Sequence, residues 1–376
     1  MKQPHIPTDE PTILPTKQTD TSTIPTETTV STYPVVTFDA PLLAISAPVV
    51  AEEYRTEDGT ILFTYAYQEI SLILEDPQVA DAVMIDYLNL IDYENSSAQG
   101  TLADAKEAYT DETDWVPYSF SMLFSPARFD QSILSLYGTQ ALYNGNPRAT
   151  TANTAVTYDL LTGHQLELKD VLVDDFSADA LCELISDALS EMESQGMLYS
   201  DYAYVISELF STNRPVENWY FSRDGLCFFF APYEIAPYSA GTVVAQIPYS
   251  ELTALLKGPY FPAETVELSG TVCFEEFQAV DTAQFSQFAE LVMDKDGTKY
   301  LLYTDGCLQN VRITTGSWFD TETFLEDATV FAAATLCADD ALMLQFSPDT
   351  TQGLCLIYES AGQTVYLDLT TLVADN

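Results

Sequence analysis

Basic side chains are scarce in this chain: its 376 residues carry 13 Lys and Arg against 57 Asp and Glu, a formal net charge of −44 at pH 7. Such a surface opposes nucleic acid and anionic lipid and favours cationic partners, through a steering that salt weakens. Because the acidity is spread along the chain and not gathered into one block, it also reads more plainly as a solubilising surface. Histidine is scarcer still, at two residues, His5 and His164. That leaves no HExxH pair and no Ser-His-Asp or Cys-His set; His164, after the Thr162-Gly163 turn, reads as a solvent-facing turn residue. GxSxG, the Walker phosphate loop and a GxGxxG after a strand are also missing, so serine-hydrolase, nucleoside-triphosphate and dinucleotide readings lose their usual supports.

Long apolar runs are lacking too. A membrane helix needs about 18 or more apolar residues; the longest candidate, Ala328 to Ala338, holds two threonines and stops at Asp339 and Asp340, which makes it a buried strand. The opening Met1-Lys2-Gln3-Pro4-His5 has no basic-then-apolar leader, so the expectation is a cytosolic chain or one trimmed of its export signal. Composition favours the second: ten of the first 34 residues are Thr, six are Pro, and no aromatic precedes Tyr33. Such a stretch buries too little apolar surface to fold, so residues 1–40 are read as a disordered tether. The expected location is extracytoplasmic, at the cell surface, with an anchor carried by a segment absent from this chain. The six cysteines, Cys182, Cys227, Cys273, Cys307, Cys337 and Cys355, form no CxxC pair, which removes the common zinc and thioredoxin signatures. An oxidising compartment would permit disulfides, with the last four the expected partners; Cys227 and Cys355 sit in apolar runs where a buried free thiol is as comfortable.

What is present is ample material for a core: 47% hydrophobic residues, 12% of the chain aromatic, and a length above the usual single-core size. Four Asp-Gly pairs, at 58–59, 224–225, 296–297 and 305–306, lie between strand-like flanks and are read as tight turns with positive φ at glycine. Asp294-Lys295-Asp296-Gly297 has a faint calcium-loop look, but the position of the bidentate glutamate is Tyr303, so no metal site is assigned and no cofactor is implied. Asp76-Pro77 predicts a helix start before Val79, Val83, Met84, Tyr87, Leu88 and Ile91. Ser177 predicts a second helix through Leu181, Ile185, Leu189 and Met192 to Gly196, and a short third begins near Pro248 to Glu251. Residues 41–260 therefore read as α+β with antiparallel sheets and residues 261–376 as a small all-β domain, with strands expected from Val266 to Phe274 and then at near-regular spacing to Leu369.

Within the first of these regions, Trp219 to Leu256 joins an aromatic hairpin, the run Tyr233-Glu234-Ile235-Ala236-Pro237-Tyr238-Ser239-Ala240-Gly241, a strand, and a Pro248-Tyr249-Ser250-Glu251-Leu252 helix start. Upstream, Arg128-Phe129-Asp130, Ile133 to Tyr137 and Tyr158-Asp159-Leu160-Leu161-Thr162-Gly163 form a second set. Together these motifs resemble the extracytoplasmic domain of RsiV-type anti-sigma factors, a domain pair also found at the N-terminus of PdaC-like peptidoglycan deacetylases. The resemblance covers roughly residues 45 to 260 and departs at Tyr143-Asn144-Gly145-Asn146-Pro147-Arg148, where relatives carry a Gly-Gly-Ala-His-like turn. It implies a non-catalytic cell-envelope recognition domain whose partner is a lysozyme-like cationic protein or peptidoglycan itself.

The binding residues expected are Tyr233, Glu234, Tyr238 and Tyr249. Pro232 and Pro237 fix the loop backbone, while the tyrosines offer rigid amphipathic rings that cost little entropy to immobilise. The plainer reading is that Tyr233, Ile235 and Tyr238 plug a sheet edge and that Glu234 bonds its own loop. Two alternatives belong to other classes: a carbohydrate-active hydrolase of the envelope built on paired carboxylates, with Glu234 the first to inspect, and a structural surface lipoprotein.

Overall fold

The computed structural model describes residues 41–45, 50–110, 115–147, 149–211, 215–262, 268–277, 285, 287–318, 324–347 and 353–374. The expected tether, residues 1–40, lies outside them. In chain order the elements are β1 (Leu42–Ile45), β2 (Val50–Arg55), β3 (Ile61–Tyr67), β4 (Ile70–Ile73), α1 (Pro77–Ala108), β5 (Tyr118–Phe129), β6 (Ile133–Tyr143) and β7 (Thr150–Asp159). Next come α2 (Leu168–Val171), α3 (Ala178–Ala188), α4 (Ser190–Ser194), α5 (Tyr202–Ser211), β8 (Trp219–Phe221), β9 (Gly225–Phe230) and β10 (Val243–Pro248). The chain continues through β11 (Val272–Glu276), β12 (Gln287–Val292), β13 (Thr298–Thr304), β14 (Cys307–Trp318), β15 (Phe324–Cys337), β16 (Asp340–Phe346), β17 (Gly353–Ser360), β18 (Gln363–Asp368) and α6 (Leu369–Ala374). The class is α+β; of the strand expected from Val266 to Phe274, residues 266–267 lie outside the described set and 268–271 are not strand, so it forms only as Val272–Glu276, and the C-terminal region expected to be all-β closes with the helix α6.

Capping chemistry sets the helix starts. Asp76 accepts a 2.9 Å hydrogen bond from the Gln78 N–H and Pro77 occupies the first turn, where its missing donor is harmless. Helix α1 then buries Ala80, Val83, Tyr87 and Ile91 and runs on through Ala98, Leu102 and Ala105, well past the stripe evident in the sequence. Ser177 caps α3 by accepting from the Ala180 N–H at 3.2 Å. The single helix expected from Ser177 to Gly196 is instead two, because the backbone leaves helical geometry at Leu189 (φ −96°, ψ 1°) before α4. Helix α5 was not anticipated, and the third expected helix is one 3₁₀ turn, Tyr249–Glu251.

Four sheets are present among the described residues, ordered β2-β3-β5-β6-β7, β10-β9-β8, β18-β17-β14-β15-β1-β4 and β11-β13-β16-β12. Pairing is antiparallel except at β3–β5, whose connection passes through β4 and α1, and at β12–β16. Strand β1 sits between β4 and β15, with Leu42 opposite Ala333 and Ile73, so this sheet draws strands from both sides of residue 260. Successive side chains of a strand face opposite ways. Leu42 accordingly enters a core with Phe331, Ile313, Leu342 and Leu356, while Leu43 and Ile45 enter a second with Phe63, Tyr65, Val83, Tyr87 and Phe124. A third core forms under β8–β10, from Phe221, Phe228, Phe230, Leu181, Ile185 and Ile206.

The Asp-Gly pairs divide into two kinds. Gly59 has φ +90° and turns β2 into β3, as expected. Gly225, Gly297 and Gly306 do not have positive φ; a Cβ there would lie 2.0 Å from the Ile247 carbonyl oxygen, 2.4 Å from the Phe346 carbonyl carbon and 2.1 Å from the Ser269 carbonyl oxygen. These three glycines serve close backbone approach, and only Gly225 among them lies in a hairpin of paired strands. Cys307 and Cys337, directly opposite on β14 and β15, form a disulfide. Cys227 and Cys355 are free and buried, and burial pushes the Cys355 thiol up to about 12.

Candidate functional site

Strands β9 and β10 are joined by residues 231–242, and this loop is built on buried anchors with exposed rings. Ile235 and Ala236 are buried in the core beneath β8–β10, and the Ile235 carbonyl accepts from the Tyr199 N–H at 2.9 Å. The Tyr233 N–H donates to the Ala236 carbonyl at 3.0 Å, and the Glu234 carboxylate accepts from the Ala231 N–H at 2.8 Å. Two turns, Gly241 N–H to Tyr238 carbonyl and Ala240 N–H to Pro237 carbonyl, close the far side. The backbone is thus held at both ends, and the tyrosines are left outside. Tyr233 is 67% exposed and Tyr238 43%, with ring centroids 5.5 Å apart. Ile235 is the plug of the sheet; the rings are not. Tyr233 also has φ +72°, a conformation that costs a bulky residue energy and is held only because the surroundings over-determine it.

Of the four expected residues, Tyr233, Glu234 and Tyr238 share this loop, with Glu234 engaged by its own backbone. Tyr249 is placed elsewhere. Its hydroxyl donates to the Ser222 carbonyl at 2.9 Å and accepts from Arg128 Nη1 at 2.9 Å, and its ring packs on Phe221 and Phe261. Burial pushes its pKa up to about 12.

Beside the loop lies a groove of about 400 Å³ that sequence reasoning missed. Glu208 of α5, Glu217 and Glu234 supply three carboxylates, while Val205, Leu209 and Val216 supply an apolar wall. Its signal in the sequence was the helical spacing of Tyr202, Val205, Ile206 and Leu209, with Glu208 three residues after Val205 and so beside it on the helix. Chemically, such a groove suits a long cationic side chain, with methylenes against the valines and leucine and the charge among the glutamates.

Residues 169–250, which hold α3, α5, β8–β10 and the loop, match the profile of a family described as "Protein of unknown function (DUF3298)". Among solved structures, the chain is similar to a member of the DUF3298 family from Bacteroides fragilis NCTC 9343, with 17% identity and a TM-score of 0.43 over 58% of this chain and 94% of that one. It is similar also to a DUF3298 family protein from Pseudomonas aeruginosa PAO1, with 14% identity and a TM-score of 0.42 over 59% of this chain and 98% of that one. No curated protein matches.

Proposed function

We propose that this chain is a non-catalytic recognition module of RsiV type, acting outside the cytoplasm and binding a cationic secreted protein of lysozyme-like chemistry. The observation that carries this reading is the paired, exposed Tyr233 and Tyr238 on a backbone locked from beneath, next to a groove lined by three glutamates. Rigid tyrosines on a pre-organised loop give contact area with little ordering cost. The groove supplies a place for a lysine or arginine of the partner, and the charge of −44 speeds encounter with a basic protein. The Cys307–Cys337 disulfide supports an oxidising location. Among the described residues no helix is long and apolar enough to cross a membrane.

The test is binding to immobilised lysozyme at low and near-physiological salt, with the Tyr233→Ala, Tyr238→Ala double variant alongside. Saturable binding that survives salt and weakens at least about tenfold in the double variant is expected for a hot-spot pair. Binding that vanishes with salt equally in both proteins would reduce the acidity to solubility, and retention on insoluble peptidoglycan instead would move the reading to glycan.

A further inference from the structure

Six arginines occur in the sequence, and three of them, Arg128, Arg223 and Arg312, border one cavity of about 220 Å³ between β5 and the β14–β15 pair. Two of the three, Arg128 and Arg223, also line a wider neighbouring cleft of about 790 Å³, together with Phe129, Leu161 and Phe261 and the carboxylates Asp130, Asp224 and Glu359. Arg128 is 3% exposed. Its Nε donates to Asp130 at 2.6 Å, its Nη1 donates to the Tyr249 hydroxyl at 2.9 Å and the Tyr260 carbonyl at 2.6 Å, and its guanidinium lies over the Phe221 ring. Of its nitrogens, Nη2 alone is buried with no acceptor among the described residues. A buried guanidinium donor left without a partner costs more than a neutral donor would, so a native chain keeps one chiefly where something else supplies the acceptor.

The backbone around these arginines is irregular from both sides. Strand β5 slips register against β6 between Pro126 and Arg128, and β14 slips against β17 between Gln309 and Arg312. Asn310, within the second slip and on the wall of both cavities, has φ +50° and donates to Glu359 at 2.7 Å. Glu359 in turn pairs with Arg223, and Glu326 pairs with Arg312. Bulges and strained residues gather where side chains are re-aimed at ligands. Burial, with Arg312 next, depresses the Arg223 pKa, against the opposing pull of Asp224 and Glu326.

We infer that this cleft binds a small organic carboxylate, whose head group lies between Arg128 and Arg223 and whose apolar body lies along Phe129, Leu161 and Phe261. Arginine presents a planar fork that matches a carboxylate, and the ligand oxygen supplies the acceptor that Arg128 Nη2 lacks. The site is separate from the aromatic loop and does not depend on its function.

Acetate, benzoate and hexanoate, with benzamide as the uncharged counterpart of benzoate, are the probes, titrated into the full chain and followed by calorimetry and the arginine side-chain NMR signals. Saturable binding is expected for benzoate and hexanoate, tighter than for acetate, with benzamide weaker by about tenfold or more. Arg128→Lys keeps the charge and removes Nη2; Arg223→Gln removes the second fork at a partly exposed position. Each is expected to weaken benzoate by about tenfold, with near-ultraviolet circular dichroism unchanged in Arg223→Gln. Should Arg128→Lys fail to fold, Arg223→Gln decides. No saturable binding of any of the three acids, equal binding of benzamide and benzoate, or unchanged affinity in a folded Arg223→Gln overturns the proposal.

Discussion

Tyr233 carries two separable burdens, a strained backbone at φ +72° and an exposed ring. Tyr233→Gly removes both, and so is expected to raise the unfolding free energy by about 1 kcal/mol, the cost of a left-handed residue with a Cβ, while abolishing partner binding. Denaturant melts beside the lysozyme assay check this; a fall in stability would mean the ring itself holds the loop. Arg128→Met leaves Asp130, the Tyr249 hydroxyl and the Tyr260 carbonyl without their donor, and a loss of about 3 kcal/mol is expected in urea unfolding. Individual residues were unevenly legible in the sequence. The sequence left open whether Tyr233 and Tyr238 face solvent or plug the sheet edge, and offered the self-bonded Glu234 as the plainer reading. The place of Tyr249 was not legible, since its partner Arg128 lies 121 positions away.

At the scale of elements, composition served well wherever the determinant was local. Asp76 and Ser177 marked two helix starts because a cap acts within its own turn, and β15 to β17 were visible because their apolar runs are continuous. The break at Leu189 has no local marker, and α5 was overlooked although Tyr202, Val205, Ile206 and Leu209 repeat at helical spacing; both helices pack on one core. The glycines show the same division. Gly59 needs its positive φ for a local turn, whereas Gly225 needs only room, which depends on β10 passing behind it. Gly225→Ala is therefore expected to cost about 3 kcal/mol, because the Ile247 carbonyl belongs to backbone and cannot move aside cheaply, whereas Gly59→Asn, at a tolerant left-handed position, should cost under about 1 kcal/mol. Thermal unfolding of the two variants checks the contrast.

Across the whole molecule, the six-stranded sheet is shared between two cores through the alternating side chains of β1. Leu42→Ala and Leu43→Ala, one on each face, are each expected to cost about 3 kcal/mol and to leave a single transition seen alike by tyrosine fluorescence and far-ultraviolet circular dichroism. Two resolved transitions would show that the cores melt separately. Alkaline stability is the second property of the whole. Burial raises Tyr87, Tyr158 and Tyr220, and pushes Tyr137 and Tyr249 up to about 12 from an ordinary value of 10.0. In that interval the unfolded chain has lost phenolic protons that the folded chain retains, so the stabilisation is complete below pH 10 and drains away as pH rises toward 12. Phenolate absorbance should rise for exposed tyrosines first, and for these five only with unfolding.

Strand β1 begins immediately after Pro41 and is hydrogen-bonded along both edges, to β4 on one side and β15 on the other. Tension applied at residue 41 along the strand axis would therefore load two ladders in shear together, where an edge strand would peel one bond at a time. Four residues at the front of the fold are in this sense its mechanical clamp, fastened to a strand almost three hundred positions downstream.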